Sequence, residues 1–589
     1  MMAFGVQVDE DMREAEARRL DAPRVTTGDR RVAEHNPETR AFEMSRLTKL
    51  HLALVVVNEC WQEGTEPLHE FAREIIGTSR EMGLHIESRI FPENRIIYTY
   101  HEMDEESERR RNQWQQQQQQ QRPPQQQQQR GRGRGGRGGR GGRGGPPRKA
   151  APPPPPPPPS PEEQQIYHDM RDMARDFEGR FPGASAHKNL LVCFVTDRQH
   201  NGYGLIHHIM DTLLAIPSQV ALLETVRRTL EQGDRTRHGV RYGFARQINA
   251  KLGGINQIVF GERPQRMRPN RDNALPSSSP SAPSSDTDDE DDDEYNQELL
   301  EMEKRREQQR TGPSKYAGTM FMGIDVTHPT PEASLETRLS DEVSIAALVA
   351  TIDDRAAHYA SRLRLQPGTE KVVNFENDFV YFVGNYHKKS GTKPEHIVVL
   401  RDGLSDSEME PVGSTEIRNI MEGCKQIGPD YRPTITYVVV QKRHQTRFFR
   451  KVPTEDGKHT AENVQSGTVV DQAIVSSSRF DFYLCSQFAL TGTARPAHYT
   501  VLYDEWELSA DQIQTLCYEL CFVGSRTTKP STVPIPTYYA HLVAWKARET
   551  FAALLATGQC SSQDLENPRK CESVSRMLNA EHLPGIAFI

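Results

Sequence analysis

No run in this 589-residue chain stays apolar for the ~20 residues that cross a bilayer, and the N-terminus lacks a basic flank followed by an apolar core. No membrane partner and no secretion are therefore expected. The eight cysteines are scattered, without a Cys-x-x-Cys pair. Cys517 and Cys521, four apart on an expected helix, read as packing residues rather than ligands or a bridge. A reducing compartment follows from that usage, cytoplasmic, nuclear or both. Apolar residues make up only 35% of the chain, too few for all of it to bury a core, so two or three domains with unfolded segments are expected. The net charge of −8 conceals a basic Arg/Gly block and a separate acidic block before residue 300.

What is present sorts into four blocks. Residues 1–45 are charged and weakly patterned, as a linker is. Residues 46–262 open on the apolar run Leu50 to Val57, followed by helical spacing from Leu68 to Met82. Low-complexity sequence interrupts this block over 104–164: two glutamine tracts, an Arg/Gly run from Arg130 to Gly145, and prolines 152–159. The Arg/Gly run resembles an RGG segment, whose guanidinium groups contact phosphates and stack on bases; it reads equally as a solubilising loop. Order resumes with a strand over 189–195, a polar loop, and a helix placing Leu205, Ile206, Ile209, Met210, Leu213 and Leu214 on one face. Such a unit puts Tyr203 and His207 where ligands of α/β sheets bind. A further helix, Val240 to Leu252, stops at Gly253-Gly254 with Lys251 in its last turn. Residues 263–313, Ser-rich and then acidic, read as a solvated tether.

Residues 314–589 are organised around Phe321-Met322-Gly323-Ile324-Asp325-Val326-Thr327-His328-Pro329. An apolar strand here delivers Asp325, and Pro329 stops it. Further strands are expected over 343–352, 361–365, 396–400 and 435–441, the third running into Arg401-Asp402-Gly403. A helix is expected over 370–389, and another after Pro534 and Pro536 with His541 in its first turns. Two strands thus aim aspartates the same way, which is costly without a cation. Two aspartates, a glutamate and a histidine are the hard-ligand set of two-metal phosphodiester hydrolysis with Mg²⁺, or Mn²⁺. The basic clusters Lys442, Arg443, His444 and Arg447, and Arg526 to Lys529, suit phosphate contacts. From pattern alone, a non-enzymatic RNA-binding module with structural acidic residues fits as well.

Six segments narrow this choice: Gly323–Pro329, Arg401-Asp402-Gly403, Val440-Gln441-Lys442-Arg443-His444, Phe480–Ser486, Arg495–Tyr499 and Tyr538-Tyr539-Ala540-His541-Leu542. In order and spacing, over nearly all of 316–589, they resemble the PIWI domain of the eukaryotic Argonaute family. The resemblance implies an RNase H-like fold, a small guide RNA, a complementary target RNA, silencing-complex proteins as partners and, in slicing members, an Asp-Glu-Asp-His tetrad using Mg²⁺. Carried over, the tetrad and metal ligands are Asp325, Glu370, Asp402 and His541. Glu370 is placed by ungapped counting back from Arg401-Asp402-Gly403, with Glu376 as the nearby fallback.

The block 46–262 is similar to the family's Rossmann-like MID domain, on Tyr203, Gln219 and Ile248–Asn256. The resemblance implies that Tyr203 stacks on the first guide base, while Gln219 and Lys251 hold the 5′-phosphate with Lys546 and Arg526 from the PIWI side. Lys529 and Arg548 join the nucleic-acid contacts. His207 and Gln247 stand where the family commonly has lysine, so weaker or pH-dependent phosphate binding, or a different 5′ end, is expected. Phe4 to Glu43 resembles the linker after the PAZ domain, and the N-terminal and PAZ domains are expected to be missing. The expected class is α/β: a Rossmann-like MID domain, then an RNase H-like PIWI domain, with disordered low-complexity inserts.

Overall fold

The computed structural model describes residues 14–23, 25, 50–56, 66–84, 86–90, 161–181, 185–196, 203–230, 234–259, 314–328, 343–454, 458–489, 491–527, 529–556 and 568–579. The expected tether, and the low-complexity insert up to residue 160, lie outside the described residues.

Among the described residues, β1 (Arg18–Arg19) joins the edge of the largest sheet, and the next strands form a sheet of their own. β2 (Leu50–Val56), β3 (Ile86–Ile90), β4 (Leu190–Thr196) and β5 (Ser218–Leu222) run parallel in the order β3-β2-β4-β5. β4 is buried at every position, as a parallel strand covered on both faces must be. Leu191, Cys193 and Val195 pack toward the helices Glu66–Glu81 and Asp234–Lys251. Leu190, Val192 and Phe194 pack against the other face, where Met170, Met173 and Phe177 of the helix Pro161–Arg180 are buried. That helix begins inside the stretch expected to be disordered, because its apolar residues recur at helical spacing among charged ones. The helix from Tyr203 to His207 continues as a π-helix, His208–Leu213. The wider turn rotates the expected apolar face, and Leu213 is left 44% exposed.

The larger sheet has nine strands, in the order β1-β13-β14-β15-β10-β9-β6-β7-β8. Its centre comprises β6 (Thr319–Thr327), β7 (Val343–Thr351), β8 (Tyr359–Pro367), β9 (His396–Asp402) and β10 (Thr434–Gln441). A separate two-stranded ribbon pairs β11 (Phe449–Pro453) with β12 (His459–Asn463). β13 (Thr468–Val470), β14 (Phe480–Cys485) and β15 (Ala497–Asp504) complete the large sheet. β6, β7 and β8 pair antiparallel, while β6-β9 and β9-β10 are parallel. This is an RNase H-like arrangement. Phe321, Val398 and Leu400 face the helices Ala510–Glu519 and Ile535–Ala556; Met322, Ile324 and Val399 face Phe375–Ser390 and Asp406–Ile427. Cys517 and Cys521 are buried and free, packed in the first of these layers.

Backbone contacts lock the layers. A Cβ on Gly323 would lie 2.0 Å from the Pro536 carbonyl oxygen, so only glycine lets the helix Ile535–Ala556 approach β6 this closely. The two sheet units are joined by buried amides. Gln257 donates to the Phe522 and Gly524 carbonyls at 2.7 and 3.2 Å, and Asn256 donates to Ser525 at 2.8 Å.

Candidate active site

Register brings the two aspartates together. Ile324 pairs with Arg401 across the parallel strands β6 and β9, so Asp325 and Asp402 follow side by side at their carboxyl ends. Gly403 then takes φ +80°, which suits glycine and turns the chain away directly after Asp402. His541, in the second turn of the helix Ile535–Ala556, places Nδ1 3.1 Å from Asp325 Oδ2. One ligand atom from each of Asp325, Asp402 and His541 lies within 4.8 Å of the others. Burial and the facing Asp325 push the Asp402 carboxyl up to about 6, only partly offset by His541, Arg401 and Arg443. The bond from Asp325 raises His541. Two carboxylates and an imidazole facing one another fit a hard divalent cation.

Glu370 contributes no atom to that group. It also does not start a helix: the helix begins at Phe375, after Asn374 in the left-handed region, and Glu370 sits on the preceding loop. Gln366, 1% exposed, shapes the loop by donating to the Thr369 and Lys371 carbonyls and accepting from the Val373 amide. The Glu370 carboxylate lies 2.5 Å from His328 Nε2 and accepts from Arg401 at 3.2 Å. Arg401, fully buried, also donates to the Glu370 and Asp402 carbonyls and lies 3.5 Å from Glu416, which accepts from Tyr437 at 2.6 Å. Burial opposes its charge, but Glu416, Tyr437 and Glu370 outweigh this and raise its pKa. Sequence reasoning missed Arg401 and His328 as site residues, although both lie inside the quoted motifs, one before Asp402 and three after Asp325. Glu376, the fallback, lies in the first turn of the helix Phe375–Ser390 and is likewise outside the ligand group.

Of the basic residues, Lys442 and Arg443 are exposed beyond β10, with Lys442 bonded to Thr532 at 2.8 Å. His444 bonds the Pro496 carbonyl at 3.0 Å, and Arg447 donates to the His444 and Thr446 carbonyls. Lys529 is exposed, and Arg548 is half-buried on the helix Ile535–Ala556.

The second predicted site is also assembled across the two units. Tyr203 packs on His207 and on Trp545, with centroids 4.2 and 4.9 Å apart. Lys251 is 5% exposed and donates to the Ser218 carbonyl at 2.9 Å. Gln219 donates to Gln247 at 3.1 Å. Arg526 reaches the Tyr538 hydroxyl at 3.3 Å, and its charge acts on Tyr203 and Lys251. Burial and Lys546 push Lys251 down to about 7. Asp211 is the residue sequence reasoning missed here. It pairs with Lys546 and lies 2.9 Å from His207 Nδ1, at the i,i+4 spacing that could have flagged it.

Comparison with known proteins agrees with this architecture. The Piwi domain family matches residues 302–552. Protein argonaute 7 of Arabidopsis thaliana is 32% identical over 367 residues, 62% of this chain and 31% of that protein. Protein argonaute 2 of Oryza sativa subsp. japonica is 34% identical over 367 residues, covering 62% and 30%. The chain therefore spans about a third of the length of these curated relatives. The crystal structure of Kluyveromyces polysporus Argonaute with a guide RNA matches with a TM-score of 0.62 at 19% identity, over 97% of this chain and 53% of that one. The C-terminal lobe of a budding yeast Argonaute matches at 0.61 and 20% identity, over 97% and 95%. At these identities the solved structures establish the fold, and the sequence matches show a Piwi domain over residues 302–552 in a chain similar to Argonaute proteins.

Proposed function

We propose that residues 46–262 act as a MID domain and 314–589 as a PIWI domain, which together bind a small guide RNA by its 5′ end and cut a paired RNA target. The observation that carries the cutting half is the convergence of Asp325, Asp402 and His541 within 4.8 Å, with burial and the facing Asp325 pushing the Asp402 carboxyl up to about 6. Asp325, Asp402 and His541 are the residues that would hold Mg²⁺, which when bound would supply Lewis acidity toward the scissile phosphate. The protein's own contribution is positional. Asp325 orients His541 through the Nδ1 bond, and Arg401 ties the Asp402 backbone to the Glu370 loop, so the fourth carboxylate stands beside the site on a rigid anchor. Lys442 and Arg443 offer phosphate contacts next to it.

A second reading, guide-directed binding without cutting, draws on the engagement of the Glu370 carboxylate with His328 and Arg401 instead of the ligand group. Loading with a 5′-phosphorylated guide and adding an end-labelled complementary RNA in Mg²⁺ separates the two. One guide-positioned cut that Asp402→Ala abolishes supports the slicer; a bound but intact target supports the binder.

A further inference from the structure

The second pocket holds a carboxylate that a phosphate site does not call for. Asp211 is 5% exposed, pairs with Lys546 from the helix Ile535–Ala556, and lies 2.9 Å from His207 Nδ1. His207 is itself 2% exposed. The groups acting on it are Asp211 from its own helical segment, Lys546 from the opposite unit and Lys251 from the end of the helix Asp234–Lys251, with the Tyr203 ring packed against it. Arg526 and Glu549 act on Tyr203 in turn. Among the described residues Lys546, Arg526 and Lys251 bring positive charge here, but Lys251 is pushed down to about 7 and Asp211 already matches Lys546. What remains is thin for a phosphate dianion.

Burial, and then Lys546, push His207 down to about 4, so the ring is neutral near pH 7. For Asp211, burial works against the charge, but Lys546 and His207 outweigh it and hold the carboxylate ionised. A dianion entering beside them reverses the field at the imidazole, because a nearby opposite charge favours the protonated ring. Nδ1 is engaged with Asp211, which leaves Nε2 to take the proton from solvent and then donate to a phosphate oxygen.

Resting on the guide-end reading of this pocket, we propose that Asp211 and His207 are its specificity determinants: Asp211 keeps Lys546 paired while the pocket is empty, and a 5′-phosphate is held with uptake of one proton by His207. Phosphorylated guides are then preferred over 5′-hydroxyl guides more strongly as pH falls.

The test uses the full chain and two guides of one sequence, 3′-labelled, with a 5′-phosphate or a 5′-hydroxyl. Affinities are measured from pH 5.5 to 8.5 for wild type, His207→Gln, His207→Lys and Asp211→Asn, each checked for folding by its melting curve. The phosphate's own second ionisation near pH 6 acts in every protein, so wild type is read against His207→Gln. Relative to that variant, the wild-type phosphate preference rises by up to about tenfold per pH unit of acidification, the slope of one linked proton. His207→Lys, with a fixed charge, flattens the slope. Asp211→Asn releases Lys546 and raises the preference at pH 8. A phosphate preference with the same pH slope in wild type and His207→Gln overturns the proton linkage and leaves the guide-end reading standing. RNA bound with no phosphate preference in any of the four proteins overturns both.

Discussion

Replacing Asp402 by Asn should make the metal-free protein more stable while removing its response to Mg²⁺. In the folded protein the Asp402 carboxyl keeps its proton up to about 6, against an ordinary 3.8. Folding therefore takes up a proton between those values, and stability is lost as pH rises through that window and stays lost above it. The gap corresponds to about 3 kcal/mol at most, and partial exposure to solvent reduces this to about 1–3 kcal/mol. An amide of the same shape cannot ionise and avoids that cost. For a sheet unit of this size the gain is roughly 2–6 °C in Tm at pH 7.5 in chelator. Wild type should recover stability on adding Mg²⁺, by about 2.7 kcal/mol at a hundredfold excess over Kd, whereas Asp402→Asn should not. Thermal melts of both proteins in chelator and in Mg²⁺, at pH 5 and 7.5, check this. A variant that melts at or below wild type in chelator at pH 7.5, or gains as much from Mg²⁺, would refute the account of two facing, only partly compensated carboxylates sharing a cation site.

Arg401→Lys should leave guide affinity unchanged and slow target cleavage at least ~100-fold, because a lysine cannot span Glu370, Glu416 and the Asp402 carbonyl as the planar guanidinium does; single-turnover cleavage on loaded protein measures it. Gly323→Ala should cost about 1–3 kcal/mol and weaken the Mg²⁺ response, since a Cβ 2.0 Å from the Pro536 oxygen must push the His541 helix off β6; melts with and without Mg²⁺ report both. Gln257→Ala removes two bonds that join the sheet units and leaves two carbonyls unpaired, lowering stability by about 1–3 kcal/mol in a urea titration.

Much of this molecule was legible in one dimension. The parallel strand β4 and the strand carrying Asp325 announced themselves as apolar runs, and β2 as one broken only by His51, because strands covered on both faces have no polar side to betray. Asp402 and His541 were readable because each stands at a forced boundary: a glycine that turns the chain, and prolines that start a helix. The helix Pro161–Arg180 escaped because its few buried residues are scattered among charges next to a proline tract, and the loop of Glu370 because the glutamine that shapes it carries no local signal. Local sequence thus determined which elements form, where they stop and which chemical groups stand at their ends, since those follow from propensity and period over a few residues. Tertiary structure alone decided that Ile324 pairs with Arg401, that Arg401 and His328 engage Glu370, and that Asp211 meets Lys546, 335 residues later. Those depend on register and on the buried balance of charge, which arise only when distant segments share one low-dielectric interior.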